Sequence, residues 1–228
     1  MINVAIVGIG IGRLHANGYK RCPDVQIRAI CDIDAERAER AAQEFGAGYS
    51  CTDYADIMRD PEIHAVSVCT PNALHAPVAI AAFEAGKHVI CEKPLATNAA
   101  EGKAMVEAAA KADRIFMMGF NNRFRGDTQL LKKLIENGDL GDIYYARTGW
   151  LRRKGIPGMG GWFTTKSMSG GGPLIDLGVH VLDLTLWLMG NPKPVYVLGS
   201  SYAEFGPEMA RKQGLSYDVE DLATGMVK

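Results

Sequence analysis

Apolar and polar positions give the chain two textures. In the first, short apolar runs alternate with segments of helical periodicity. Ile2 to Val7 is an apolar run ending at Gly8 and predicts a buried strand, with a helix following from Gly12 to Lys20. Val25 to Cys31 predicts a second strand. Ala35 to Phe45 predicts a helix, with Asp34 as its N-cap and Gly46 just past its end. Ala65 to Cys69, His88 to Cys91 and Ile115 to Gly119 predict further strands, separated by helices over Ala76 to Ala85 and Ala99 to Ala112. Strands alternating with helices of about 10–15 residues make βαβ units and a parallel sheet. Strands that are apolar nearly throughout suit a sheet covered by helices on both faces.

The second texture begins after about Gly119. Asp127 to Asn137 predicts a surface helix, Ile143 to Trp150 alternates like a strand with one wet face, and Leu174 to Met189 has apolar helical periodicity. Val195 to Tyr202 predicts another strand, and Val219 to Lys228 the start of one more. Lys154 to Gly172 is rich in Gly, Ser and Lys and too long for an idle connector. The expectation is an α/β fold of two domains: a doubly wound parallel sheet over residues 1–120, then an α+β domain over residues 121–228. So few strands leave much apolar surface uncovered, so the second domain is expected to be incomplete, finished by further chain or by another subunit.

Composition removes several classes of partner. With 25 Lys plus Arg against 26 Asp plus Glu, the net charge is −1, which offers nothing to nucleic acid or an anionic membrane. No apolar run is long enough to span a bilayer, and the N-terminus lacks the pattern of a signal peptide. The five cysteines (Cys22, Cys31, Cys51, Cys69, Cys91) are odd in number and lack C-x-x-C spacing, and three of them end apolar runs. Buried reduced thiols and a cytoplasmic location are the expectation. No residue is assigned to a metal.

The turn Gly8-Ile9-Gly10-Ile11-Gly12-Arg13 lies between the first strand and the first helix, where a dinucleotide-binding turn belongs. Gly8 would permit the tight turn and Gly10 the close approach of a pyrophosphate to the helix N-terminus. The third glycine comes one residue early, at Gly12, and Arg13 takes its usual place. Asp32 closes the second strand 24 residues after Gly8. A carboxylate there accepts from ribose hydroxyls and repels a 2′-phosphate, which favours NAD over NADP. The competing reading makes Asp32 a helix cap, a role open to Asp34 as well.

Three further motifs stand out: Thr70-Pro71-Asn72-Ala73-Leu74-His75, Glu92-Lys93-Pro94, and the run Gly170-Gly171-Gly172-Pro173-Leu174-Ile175-Asp176-Leu177-Gly178-Val179-His180-Val181-Leu182-Asp183. In this order, after such a turn, the sequence resembles the glucose–fructose oxidoreductase/inositol dehydrogenase (Gfo/Idh/MocA) family from Ile2 to about Val227. The resemblance implies a Rossmann domain followed by an α+β domain with a mostly antiparallel sheet, often used for homo-oligomers. It implies NAD-dependent hydride transfer with a sugar, cyclitol or related polyol. Lys93 would be the active-site lysine beside the nicotinamide, with Asp176 and His180 completing the catalytic group and sharing the substrate. Thr70, Pro71, Asn72, His75 and Glu92 would line the cofactor cleft, together with Gly8, Gly10, Gly12, Arg13 and Asp32. Arg123, at the domain crossover, would contact substrate or tie the domains together.

The chemistry agrees with these roles. An imidazole takes a hydroxyl proton near neutral pH, and an ammonium stabilises a developing alkoxide. Asp176 and His180, four residues apart on a predicted helix, would share a face. Each residue also has a plain structural reading: His180 in a helix core, Lys93 on the surface, Asp176 as a cap, Asp183 pairing locally. Two other functions remain open: a glycosidase that uses NAD transiently, and a non-catalytic NAD-binding regulatory protein.

Overall fold

The computed structural model describes residues 1–228, which divide into two units, Met1–Gly119 and Phe120–Lys228. Six parallel strands form the first unit: β1 (Ile2–Val7), β2 (Val25–Cys31), β3 (Tyr49–Cys51), β4 (Ala65–Val68), β5 (His88–Cys91) and β6 (Phe116–Met118), in the order β3-β2-β1-β4-β5-β6. The helices α1 (Ile9–Tyr19), α2 (Ala35–Phe45), α3 (Tyr54–Arg59), α4 (His75–Glu84) and α5 (Ala99–Ala112) connect them. Alternate strand residues feed cores on opposite faces of the sheet. Ala5, Val7, Val66 and Val68 pack with Val78, Phe83 and Met105, while Val4, Ile6, Ile27 and Ile30 pack with Ile9, Ala16 and Phe45. The sheet is therefore dry on both sides, as its unbroken apolar strands require.

Local chemistry sets the helix ends. Asp34 accepts from the Arg37 amide at 3.0 Å and starts α2, and Gly46, at φ 69°, ends it. Asp53 accepts from the Ala55 amide at 2.8 Å and starts α3. Neither α3 nor β3 is legible in the apolar pattern, because six and three residues are too few to show a period. α1 begins at Ile9, three residues before the predicted start, and so draws Gly10 and Gly12 into its first turns.

The order of the strands reverses between β1 and β4, and at such a point a crevice opens beyond the C-terminal ends of the strands. Gly8 sits on that edge with φ 90°, and a Cβ there would lie 2.4 Å from the Cys69 carbonyl oxygen. Gly12 is buried against β1, where a Cβ would lie 2.7 Å from Ile6 Cγ2. The early third glycine thus does the helix–strand packing for which the regular spacing reserves the next position.

The second unit contains α6 (Gly126–Glu136), the short α7 (Lys166–Ser169), a π-turn over Leu174–Gly178 that continues into α8 (Val179–Leu188), and α9 (Gly206–Lys212). Its strands β7 (Val197–Tyr202) and β8 (Leu222–Val227) form an antiparallel pair. Residues 143–150, predicted as a strand, form none. Tyr144 and Tyr145 are both exposed, at 93% and 72%, so the alternation buries neither face, and no strand lies alongside to complete a ladder. The helix predicted from Leu174 to Met189 is divided by the π-turn, which hydropathy does not reveal. α9 was also not predicted. Asp221 accepts from the Phe205 and Gly206 amides at 2.6 and 2.7 Å, and the Tyr217 ring fills the place of a Cβ at Gly206.

All five cysteines are free thiols, with Cys31, Cys69 and Cys91 buried. No helix is long and apolar enough to cross a membrane.

The glycine geometry makes a direct prediction. Gly12→Ala should cost about 1–3 kcal/mol in urea unfolding, because Ile6 is fully buried and cannot yield. Gly10→Ala, with nothing within 4 Å of the added methyl, should leave apo stability unchanged or raise it by up to about 1 kcal/mol. Equal effects at the two positions would contradict the packing role of Gly12.

Candidate functional site

The first helix begins without a side-chain cap and with no acidic residue in its first turn. The Gly8 amide donates to the Cys31 carbonyl at 2.8 Å and the Ile9 amide to Asp32 Oδ2 at 2.9 Å. Helix geometry leaves the amides of Gly10 and Ile11 without intrahelical acceptors, and the space beside Gly10 is open. This is a positive, uncrowded helix end of the kind that receives a phosphate.

Asp32 is 6% exposed. Its Oδ2 holds the glycine turn, while Oδ1 accepts from the Asp34 amide at 3.1 Å and from the Arg37 guanidinium. Burial raises its pKa, but Arg37 and the two amides outweigh burial and hold the carboxyl below its ordinary value. Asp34 caps α2, so Asp32 is not the cap. Two carboxylate oxygens offer about four acceptor sites, and with three in use one is left for a ribose hydroxyl. Arg13 faces α2 as well as the glycine turn. Its guanidinium pairs with Glu44 and lies 5.4 Å from the centre of the Phe45 ring.

The loops after β4 and β5 are locked together from beneath. His75 is fully buried, with Nδ1 2.7 Å from the Pro94 carbonyl and Nε2 3.0 Å from the Thr70 carbonyl. It presents no exposed surface, and it joins the Thr70 and Pro94 loops. Burial pushes its pKa down, against the pull of the two carbonyls, which favour a protonated ring. Asn72 is also buried, at 5%. Thr70 Oγ1 is buried with no hydrogen-bond partner, an unsatisfied hydroxyl on the rim of the crevice. Pro71 precedes a short helical turn over Asn72–Leu74.

Lys93 directly follows Glu92 at the end of β5. Glu92 Oε2 accepts from the Lys93 amide at 3.2 Å, and Oε1 lies 3.0 Å from His15 Nε2. Burial raises the Glu92 pKa, yet the bond and charge of His15 and the amide and charge of Lys93 hold it below the usual value. Sequence reasoning missed His15, Ser67 and Arg37. Each acts through another side chain that adjoins it only in the fold.

In the second unit, Arg123 binds Asp183 through both Nε, at 2.8 Å to Oδ2, and Nη2, and it lies over the Phe120 and Trp187 rings. The plain reading of Asp183 is a structural residue pairing locally; it does pair, but with this arginine 60 residues away. Asp176 lies in the π-turn and His180 in the first turn of α8, both partly buried, with the Trp150 ring 6.0 Å from the His180 ring. Within the glycine run, Gly172 is forced by contact: a Cβ there would lie 1.9 Å from the Glu220 carbonyl oxygen. The Lys166 amide donates to Asp218 at 2.6 Å, and the Trp162 and Phe163 rings stack at 3.7 Å, so this part of the long loop is ordered by its own contacts.

Comparison with known proteins gives two family matches. Residues 2–120 match the oxidoreductase family with an NAD-binding Rossmann fold, and residues 128–228 match the GFO/IDH/MocA C-terminal domain. The chain is 35% identical over 234 residues to D-glucoside 3-dehydrogenase of Escherichia coli, covering 100% of this chain and 66% of the relative. It is 37% identical over 212 residues to levoglucosan dehydrogenase of Pseudarthrobacter phenanthrenivorans, covering 88% and 54%. A solved levoglucosan dehydrogenase in complex with NADH and levoglucosan superposes with TM-score 0.84 at 33% identity, covering 99% of this chain and 63% of that one. The chain thus spans between about half and two thirds of the length of these relatives.

His75 gives this region a pH signature. Its folded pKa lies below the unfolded value of about 6.5, so the unfolded chain binds more protons once the pH drops under that value. Stability should therefore be full above about pH 6.5 and decline below it, well before carboxylates titrate. His75→Asn, which keeps one donor, should flatten thermal midpoints between about pH 5 and 7. An unchanged slope would assign the acid sensitivity to another group.

Proposed function

The chain belongs to the Gfo/Idh/MocA oxidoreductase family, and from that premise we propose that it oxidises a CH–OH group of a sugar, cyclitol or related polyol with NAD as hydride acceptor. Its first unit is an NAD-binding Rossmann fold. The residues present fit that cofactor: an open helix end at Gly10, a buried carboxylate at Asp32, and an unsatisfied hydroxyl at Thr70. The observation that carries the reading is the position of Lys93, at the same C-terminal rim of the sheet as the glycine turn, its backbone amide fixed by Glu92.

When bound, NAD supplies nicotinamide C4 to accept the hydride. The chain supplies the rest. Lys93 steadies negative charge on the substrate oxygen. His180 takes the hydroxyl proton, and Asp176 orients substrate or the imidazole. Asp32 selects NAD over NADP, because a 2′-phosphate would meet a carboxylate held ionised by Arg37 and two amides. Arg123 serves substrate through the surface it shares with Asp183. A homo-oligomer belongs to the same reading, supported by the exposed apolar side chains Val197, Leu198 and Met226 on the β7–β8 pair. So does a cytoplasmic setting, supported by the free thiols.

NADH formation with a panel of glucosides, levoglucosan and inositols tests the activity. Lys93→Ala should lower kcat by about 100-fold or more while calorimetric NAD+ binding is retained. A fully active variant would overturn the assignment. Asp32→Ser should weaken NAD+ about tenfold and improve NADP+, seen as a change in the ratio of kcat/KM for the two cofactors. An unchanged ratio would remove Asp32 from cofactor choice.

A further inference from the structure

We propose that His15 is a positioning residue that makes cofactor seating and the placement of Lys93 a single event, by joining the helix of the glycine turn to the carboxylate that precedes the lysine. The inference rests on the function proposed above for the role of Lys93, and its own geometry lies wholly in the first unit.

His15 lies in the middle of α1, five residues past Gly10. Both of its ring nitrogens are engaged. Nε2 lies 3.0 Å from Glu92 Oε1, and Nδ1 lies 3.1 Å from Ser67 Oγ. An ionised carboxylate only accepts, so Nε2 carries the hydrogen, and that fixes the ring's orientation. Ser67 stands on β4 and is fully buried, and its hydroxyl is also 2.7 Å from the Tyr19 hydroxyl at the end of α1. A chain Tyr19–Ser67–His15–Glu92 therefore runs from α1 across β4 to the tip of β5.

Glu92 is held on three sides. Oε1 meets His15, Oε2 accepts the Lys93 amide, and Gly119 backs the carboxylate so closely that a Cβ there would lie 3.0 Å from Oε1. The side chains of His15 and Glu92 are only 12% and 17% exposed, so water competes poorly for this bond. A displacement of α1 on taking up a phosphate at its N-terminus passes through the ring to Glu92, and from there to the backbone of Lys93. Among the common side chains, imidazole is suited to span this gap because it presents two nitrogens on opposite sides of a rigid ring. An amide in its place reaches one neighbour and lets the other go.

The test uses the full chain and two readouts that need no turnover. Amine reactivity of Lys93 toward acetic anhydride is followed against pH by peptide mass spectrometry, with the exposed Lys103 as internal control. NAD+ affinity is measured by calorimetry. In His15→Ala the freed Glu92 carboxylate turns to the adjacent ammonium, so Lys93 should label at a pH higher by about half a unit or more, with Lys103 unmoved. NAD+ should bind about tenfold more weakly. His15→Gln should recover part of both shifts, since its amide still donates to Glu92 but no longer spans to Ser67. Should His15→Ala fail to fold, His15→Gln and Ser67→Ala carry the same two readouts. A lowered melting temperature with the Lys93 profile and NAD+ affinity both unchanged would reduce His15 to a buried strut and overturn the proposal. Absence of wild-type turnover on every polyol would instead strike the proposed activity and leave these two readouts intact.

Discussion

At the point where β1 and β4 lie side by side, the chain comes so close to itself that no side chain fits at Gly8. The missing Cβ lets the backbone turn at positive φ directly against the Cys69 carbonyl, and α1 starts at once. From that contact follow the crevice at the strand ends, the open amides of the first turn, and the adjacency of the loops after β1, β4 and β5. Gly12 extends the same constraint one turn along, bringing the helix down onto Ile6. A methyl group at either position would move α1 and with it every residue that α1 carries.

Two carboxylates mark the rim of this geometry. Asp32 and Glu92 are both largely withdrawn from water, which by itself raises their pKa. Each is kept ionised by donors drawn from more than one element: Ile9, Asp34 and Arg37 for Asp32, and His15 and Lys93 for Glu92. The arrangement places fixed negative charge at two points of one rim, with the donors oriented before any ligand arrives. Such preorganisation lowers the cost of binding. His75 contributes differently, as a buried ring lying between two carbonyls of neighbouring loops.

The second unit is built on contacts of a different kind. Few of its apolar residues are fully buried, and long-range polar pairs do much of the joining: Arg123 with Asp183, Lys166 with Asp218, and Asp221 with the start of α9. Gly172, in the run before Asp176, is explained by the chain crossing at Glu220, which no sequence motif announces. The exposed β7–β8 pair gives this unit the character of a sheet with an uncovered face.

The sequence by itself determined the parallel sheet apart from β3, its covering helices apart from α3, the glycine turn and the order of the motifs, because each depends on periodicity or on residue types close together along the chain. Strands such as Val25–Cys31 and helices such as Ala35–Phe45 were legible to the residue. Tertiary structure alone decided what each charged side chain holds. Arg13 belongs to Glu44, Asp183 to Arg123 and His15 to Glu92, pairings separated by 31, 60 and 77 residues. It also decided that residues 143–150 form no strand, since a ladder needs a neighbour that local alternation cannot supply. The physical reason is the same in each case: the free energy of a hydrogen bond or ion pair depends on burial and on the partner's position, and neither is a property of the local chain.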